Sequence, residues 1–326
     1  MKIETRAEIL DILKMPDEEY LSDIASAARE LHRTQGGNKL TGTAMLGFTN
    51  VCKNQCLYCG MRASNSKLPR YRIEPEEALR SIAAAHEQGF RRVFLVAGED
   101  PKYGFEKLLE LAAGAKKLGM TRVSMACGEF ERSQYEELYA AGVDEYVLKF
   151  EFSDPAVCDR LKPSTTFKKR FAAAGYIKEA GMDLASGNIV DWPGQTVEQL
   201  ADDIELMKKL GISWAPVIPY LPVPGTPLAL EGGPGSQMKN LKEISILRLM
   251  MPGVNLTAQQ PGKNPADGLA SVDGNLAALN AGANFLFADL LPTPQAQAFR
   301  VVENRITLGL DHMHKMADLA GMEFSF

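Results

Sequence analysis

No apolar run in the 326 residues approaches the roughly 18 that a membrane span needs. The first residues, Met-Lys-Ile-Glu-Thr-Arg-Ala-Glu, lack the apolar centre of a secretory signal. No block of like charge stands out, and the net charge of −5 argues against an extended nucleic-acid surface. No fixed-period repeat and no interdomain linker break the chain. The expectation is a water-soluble cytoplasmic protein with no nucleic-acid or membrane partner. Cysteine is scarce and odd in number, at five, which favours metal binding or free thiols over a disulfide framework. Cys127 and Cys158 stand alone and read as small buried hydrophobes.

The other three cysteines are concentrated. Cys52, Cys56 and Cys59 fall within eight residues in Asn50-Val-Cys-Lys-Asn-Gln-Cys-Leu-Tyr-Cys-Gly60, just after an apolar strand-like run from Thr43 to Phe48. A zinc site would want a fourth Cys or His nearby, and neither His32 nor His86 has suitable spacing. Three soft thiolates suit a four-iron cluster with one iron left open to a small molecule. The competing readings are structural zinc and a chance group of thiols.

Apolar strand patterns fall at 43–48, 92–97, 121–126, 145–150, 184–190, 213–218, 254–258 and 283–287. Helical patterns lie between them at 75–88, 103–118, 131–141, 166–180, 196–210, 239–251 and 268–281. Two helices, 3–14 and 17–34, precede the first strand, and one long helix is expected over 295–320. Such alternation predicts an α/β fold, a (β/α)8 TIM-type barrel with an N-terminal helical extension and a C-terminal helix. The corresponding division is 1–38, 39–294 and 295–326, with a tail packed on the barrel. A doubly wound sheet is the alternative. Residues 219–237, rich in Pro and Gly, form a long loop expected at the catalytic face.

Cys-x3-Cys-x-aromatic-Cys after a first strand resembles the signature of the radical S-adenosylmethionine superfamily. The resemblance implies a [4Fe-4S] cluster on Cys52, Cys56 and Cys59, and S-adenosylmethionine chelating the open iron. It implies reductive cleavage to methionine and a 5′-deoxyadenosyl radical, with the cofactor carrying the hard chemistry. Further segments fit. In Val96-Ala-Gly-Glu-Asp-Pro101 the resemblance places Gly98, Glu99 and Asp100 at the cofactor, with Glu99 accepting from the methionyl amine. Tyr58 would lie beside the nucleobase, Glu151 would accept from ribose hydroxyls, and Arg170 would pair with the methionyl carboxylate. Gly187 to Thr196 resembles the fifth-strand turn near adenine, although Asp191-Trp192 replaces the usual small apolar pair. Leu221 lies where the family places an adenine-contacting loop.

Within the superfamily the chain resembles the branch holding biotin synthase, methylornithine synthase and the [FeFe]-hydrogenase maturase HydE. Cys56-Leu-Tyr-Cys-Gly-Met-Arg-Ala-Ser-Asn65, Arg70-Tyr-Arg72, Arg160-Leu-Lys-Pro163 and Pro224-Gly-Thr-Pro-Leu228 carry that likeness. The substrate end departs from it. Lys149 stands where the maturase has arginine, Gln259-Gln260 where it has Thr-Thr, and Thr43 where it has arginine. Ser124, Lys149, Gln259 and Gln260 are the substrate candidates. One cation, two amides and a hydroxyl suit a small amino-acid-like molecule with a carboxylate. The resemblance implies a flavodoxin or ferredoxin electron donor. The lack of further clustered cysteines disfavours an auxiliary cluster and sulfur insertion. The alternatives are a methylornithine-synthase-like carbon-skeleton mutase and a non-catalytic iron–sulfur carrier.

Overall fold

The computed structural model describes residues 1–302 and 306–326. Among the described residues eleven strands occur in chain order: β1 (Lys39–Thr49), β2 (Arg92–Ala97), β3 (Arg122–Ala126), β4 (Glu145–Val147), β5 (Asp183–Ala185), β6 (Ile189–Val190), β7 (Trp214–Ala215), β8 (Ile218–Pro219), β9 (Asn255–Leu256), β10 (Phe285–Asp289) and β11 (Glu323–Ser325). The main sheet runs β10-β1-β2-β3-β4-β5-β7-β9 with every pairing parallel. Its two ends meet where Thr257 bridges Phe285 and the Ala258 N–H donates to Phe285 O at 2.8 Å. A parallel sheet with helical crossovers is covered on its outer face, which is why β1 is buried along most of its length. This is the (β/α)8 arrangement expected from the alternating pattern.

Two expected strands are each divided. The run 184–190 becomes β5 and β6, and the run 213–218 becomes β7 and β8. Side chains take over from the ladder at these breaks. The Ser186 hydroxyl donates to Leu148 O and accepts from Phe150 N–H, and Pro216 has no N–H to give. Past the breaks, β6 and β8 pair with each other as a short second ladder toward the barrel mouth.

The N-terminal helices lie against the helix Gln237–Met250. They cover its outer side, so that helix is buried from Asn240 to Met250. Tyr20 Oη meets Ser245 Oγ there at 2.8 Å.

The C-terminal end departs from expectation. The single helix over 295–320 is instead two helices, Thr293–Ala298 and Leu310–Ala320, and residues 303–305 of that span lie outside the described residues. Phe299 leaves the helical conformation (ψ 67°) because the chain turns there to lay Phe299, Val301 and Val302 over the barrel opening. Strand β11, which no sequence pattern announced, pairs with the first residues of β1. Gly42 permits this, since a Cβ there would overlap the Phe324 ring.

Candidate active site at the barrel mouth

The loop after β1 carries the three clustered cysteines and is held from several sides. The Arg70 guanidinium donates to Asn50 O (2.6 Å), Met61 O (2.8 Å) and Arg62 O (2.7 Å). Lys53 N–H donates to Glu99 O at 2.9 Å, Leu57 N–H to Leu161 O at 2.9 Å, and Leu228 N–H to Leu57 O at 3.0 Å. The loop thus stays shaped without any help from a disulfide, and all five cysteines are free. Burial raises the Cys52 thiol and pushes Cys59 up to about 12, with Cys56 the neighbouring thiol in both cases. Among the described residues, no three His, Cys, Asp or Glu side chains close on a point at single-ion distances. The three thiols therefore neighbour one another without forming the compact cage of a mononuclear site. Cys127 and Cys158 are buried, as expected of lone hydrophobic cysteines.

Gly98 follows β2 and lies directly under this loop. A Cβ at Gly98 would overlap Val51 O and Cys52 Cβ, so glycine alone permits the approach. The Glu99 carboxylate meets Lys53 Nζ at 2.6 Å and accepts from Asn54 Nδ2 at 2.8 Å. Asp100 faces away from the opening. Arg72 grips it with two bonds (2.6 and 2.9 Å), and its side chain is 2% exposed.

Glu151 lies past the end of β4, and its backbone is left-handed (φ 66°), a costly state for a residue with a Cβ. The flanking ladder holds it there, with its N–H bonded to Gly187 O and its carbonyl to Ile189 N–H. Lys149 Nζ lies 3.3 Å and Lys162 Nζ 3.8 Å from the carboxylate. Burial alone would raise the Glu151 carboxyl. Lys149, Lys162 and Arg170 outweigh it and hold the group below the usual carboxylate range. Its Oε2 is held by the Lys149 ion pair alone, without a well-aligned hydrogen bond. Arg170, from the helix Phe167–Glu179, donates through Nε to Lys149 O at 2.5 Å and through Nη1 to Glu129 at 2.8 Å.

These groups line one end of a cavity of about 370 Å³. Cys52, Gly98, Glu99, Lys149, Glu151, Arg170 and Gln259 all reach it. Tyr58, Asp100, Leu221, Ser124 and Gln260 do not. Tyr58 packs edge-on to Phe152 at 5.7 Å and its hydroxyl accepts from Lys162 at 3.2 Å. The Ser124 hydroxyl donates to Glu145 at 2.7 Å, deeper in the barrel. Gln260 is fully buried and spends its amide on Val217 O, Thr257 O and Asn240. Asn54, Arg70, Glu129 and Lys162 are part of the site that sequence reasoning assigned no role. Arg70 and Lys162 fall in segments that carried the resemblance and were legible to that extent; Glu129 had no signal at all.

Behind the site lies a buried acidic pair. Asp203 accepts from Ser153 N–H (2.8 Å), Gln195 Nε2 (3.0 Å) and Asn188 Nδ2 (3.2 Å). Burial pushes it up to about 7 despite those donors. Glu243 is fully buried, neither carboxyl oxygen has a hydrogen-bond partner, and burial raises it well above 4.5. Both acids hold protons more tightly folded than unfolded. Their contribution to stability is therefore full at low pH and is lost as pH rises, from about 4 toward 7 for Asp203 and from about 4.5 upward for Glu243, at up to about 1.4 kcal/mol per pH unit for each group. Glu243→Gln is expected to flatten this decline, measured as the pH dependence of the urea midpoint against the unsubstituted protein.

The fold and site together define a parallel-barrel enzyme whose strand ends gather thiols, buried carboxylates and fixed cations around one cavity. The sequence model of the radical SAM superfamily matches residues 46–207. The chain is 31% identical to the [FeFe] hydrogenase maturase subunit HydE of Thermotoga maritima, over 97% of this chain and 91% of that protein. It is 29% identical to the 3-methylornithine synthase of Methanosarcina acetivorans, over 86% of this chain and 78% of that one. The crystal structure of methylornithine synthase (PylB) superimposes with a TM-score of 0.83 at 26% identity, covering 99% of this chain and 94% of its own. The protein belongs to the radical SAM superfamily. As a member it is an enzyme that uses a [4Fe-4S] cluster and S-adenosylmethionine. No helix among the described residues is long and apolar enough to cross a membrane.

Proposed function

We propose that the cavity holds S-adenosylmethionine against a cluster on Cys52, Cys56 and Cys59, and presents a small amino-acid-like substrate to it in cofactor or unusual amino-acid biosynthesis. The observation that carries this reading is the buried, ionised Glu151 carboxylate, fixed in a strained backbone on the same cavity as Cys52, Gly98, Glu99 and Arg170. The donor set fits the group: soft thiols for iron, acceptors for an amine and ribose hydroxyls, and a guanidinium for a carboxylate. When bound, the cofactor pair supplies a 5′-deoxyadenosyl radical, with methionine released, on receipt of one electron.

The chain's own residues bind, orient and exclude. Glu99 receives the methionyl ammonium while Lys53 and Asn54 keep its carboxylate in place. Arg170 has Nε and Nη1 committed to the protein, so Nη2 is the donor left for the methionyl carboxylate. Glu151 takes the ribose hydroxyls. Asp100 acts by locking the turn after Gly98 to Arg72, and Tyr58 by seating Lys162; Leu221 borders the adenine loop. Phe299, Val301 and Leu308 cover the opening and keep water and stray hydrogen donors from the reacting carbon. A flavodoxin or ferredoxin in the cytoplasm supplies the electron.

Anaerobically reconstituted protein, given S-adenosylmethionine and dithionite, is expected to form 5′-deoxyadenosine. An intact cluster with no such product would instead mark an iron–sulfur carrier. The likeness to methylornithine synthases favours a second reading, a carbon-skeleton mutase. Lysine-dependent formation of methylornithine would establish it, whereas turnover only with a cysteine-bearing iron complex would establish a maturase.

A further inference from the structure

Resting on that reading, we infer that the substrate is a carboxylate with an aromatic body, of amino-acid size, rather than a polar aliphatic acid. The cavity is divided by polarity. Its charged groups gather at the strand ends beside the cysteine loop, and its deeper wall is aromatic. Phe94 from β2, Trp214 from β7 and Phe287 from β10 all reach the cavity.

These three rings form one set. Phe94 meets Trp214 edge-on at 5.2 Å and Phe287 at 5.6 Å, and Trp214 meets Phe287 at 5.2 Å. Each is more than nine-tenths buried, so the rings are held by the barrel and not free to swing aside. Their single polar atom is already used, because Trp214 Nε1 donates to Thr257 Oγ1 at 2.8 Å. Met45, Val96 and Val147 complete the wall. The hydroxyl and one of the two amides that the sequence offered for a polar substrate are absent from the cavity, since Ser124 and Gln260 are bonded elsewhere.

A polar aliphatic chain laid against these three rings would leave water and meet no free donor or acceptor on them. A flat apolar body gains burial and edge-to-face contact instead. Lys149 stands on the same cavity at the junction of the two zones. It shares Glu151 with Lys162, so two ammonium groups face one carboxylate. The surplus cation matches a substrate carboxylate, which sets the aromatic group toward the wall and the carbon next to the carboxylate toward the cofactor end.

The test uses the reconstituted holoenzyme. L-Phenylalanine, L-tyrosine, L-tryptophan and 3-phenylpropionate are compared with L-lysine and L-cysteine by equilibrium dialysis in the presence of S-adenosylmethionine without reductant. The same panel is then scored for stimulation of 5′-deoxyadenosine formation with dithionite. At least one aromatic carboxylate is expected to bind saturably, ten-fold or more tighter than lysine or cysteine, and to stimulate the product. Trp214→Leu, or Phe94→Leu should the first not fold, is expected to weaken that binding at least ten-fold. Tighter binding and stimulation by lysine or cysteine, or no saturable binding of any aromatic acid, would overturn the assignment while leaving the radical reading intact. Failure of the radical reading shows separately, as an intact cluster that never yields 5′-deoxyadenosine, and the dialysis result stands without turnover.

Discussion

Cys56→Ala is expected to reconstitute with no four-iron absorbance and to form no detectable 5′-deoxyadenosine, while keeping its far-ultraviolet circular dichroism. The first half follows from ligand number: a cube with one iron left for the cofactor needs all three thiolates of Cys52, Cys56 and Cys59, and Cys52 and Cys56 are the thiols that act on Cys59. The second half follows from how the loop is built. Arg70 binds the carbonyls of Asn50, Met61 and Arg62, and Leu57 is stitched to Leu161 and Leu228, so its shape does not depend on the Cys56 side chain. Cys158→Ala is the control. That thiol is buried in an apolar group with Phe152 and Trp192, on which Leu57 and Tyr58 of the loop also pack, and its loss is expected to leave the cluster spectrum unchanged. A Cys56→Ala protein with full iron content and cleavage would remove the cysteine loop from the site.

What could be read from the sequence divides along a physical line. Features fixed by local chemistry were legible. The βα alternation located the barrel, the Cys-x3-Cys-x2-Cys run located the mouth, and Gly98 was singled out where the structure shows that no Cβ fits. Features fixed by what happens to face what were not. Gln259 and Gln260 are adjacent, yet one reaches the cavity and the other is buried against Asn240, a difference of side-chain direction that a one-residue uncertainty in register erases. Ser124 illustrates depth: it is on the expected strand but pairs with Glu145 below the cavity. Phe94, Trp214 and Phe287 read as ordinary strand hydrophobes, and only closure of the barrel brings their rings together. The tail failed for a related reason. The segment around Phe299 has helical neighbours on both sides, but the opening beneath it takes apolar side chains that a continuous helix would turn away.

Arg170→Ala is expected to lose about 3–5 kcal/mol of stability, because it leaves a buried carboxylate without its cation. Glu129 is 3% exposed and, once the guanidinium is gone, retains the Thr165 hydroxyl and the weaker pull of Lys162. In the intact protein burial would raise Glu129, and Arg170 with Thr165 outweighs it and keeps the group ionised. That same charge assists Lys149 and Lys162 in holding Glu151 ionised, so the substitution also raises the carboxyl proposed to take the ribose. Structural and ligand-binding losses separate in the double variant Arg170→Ala with Glu129→Gln. A neutral amide in place of Glu129 needs no cation and still accepts from Thr165, so the urea midpoint should recover most of the deficit. Binding of S-adenosylmethionine, followed by equilibrium dialysis on the reconstituted enzyme, should stay weakened in both variants, because neither restores the Nη2 donor. Recovery of the two quantities together would mean that Arg170 serves Glu129 alone and touches no ligand.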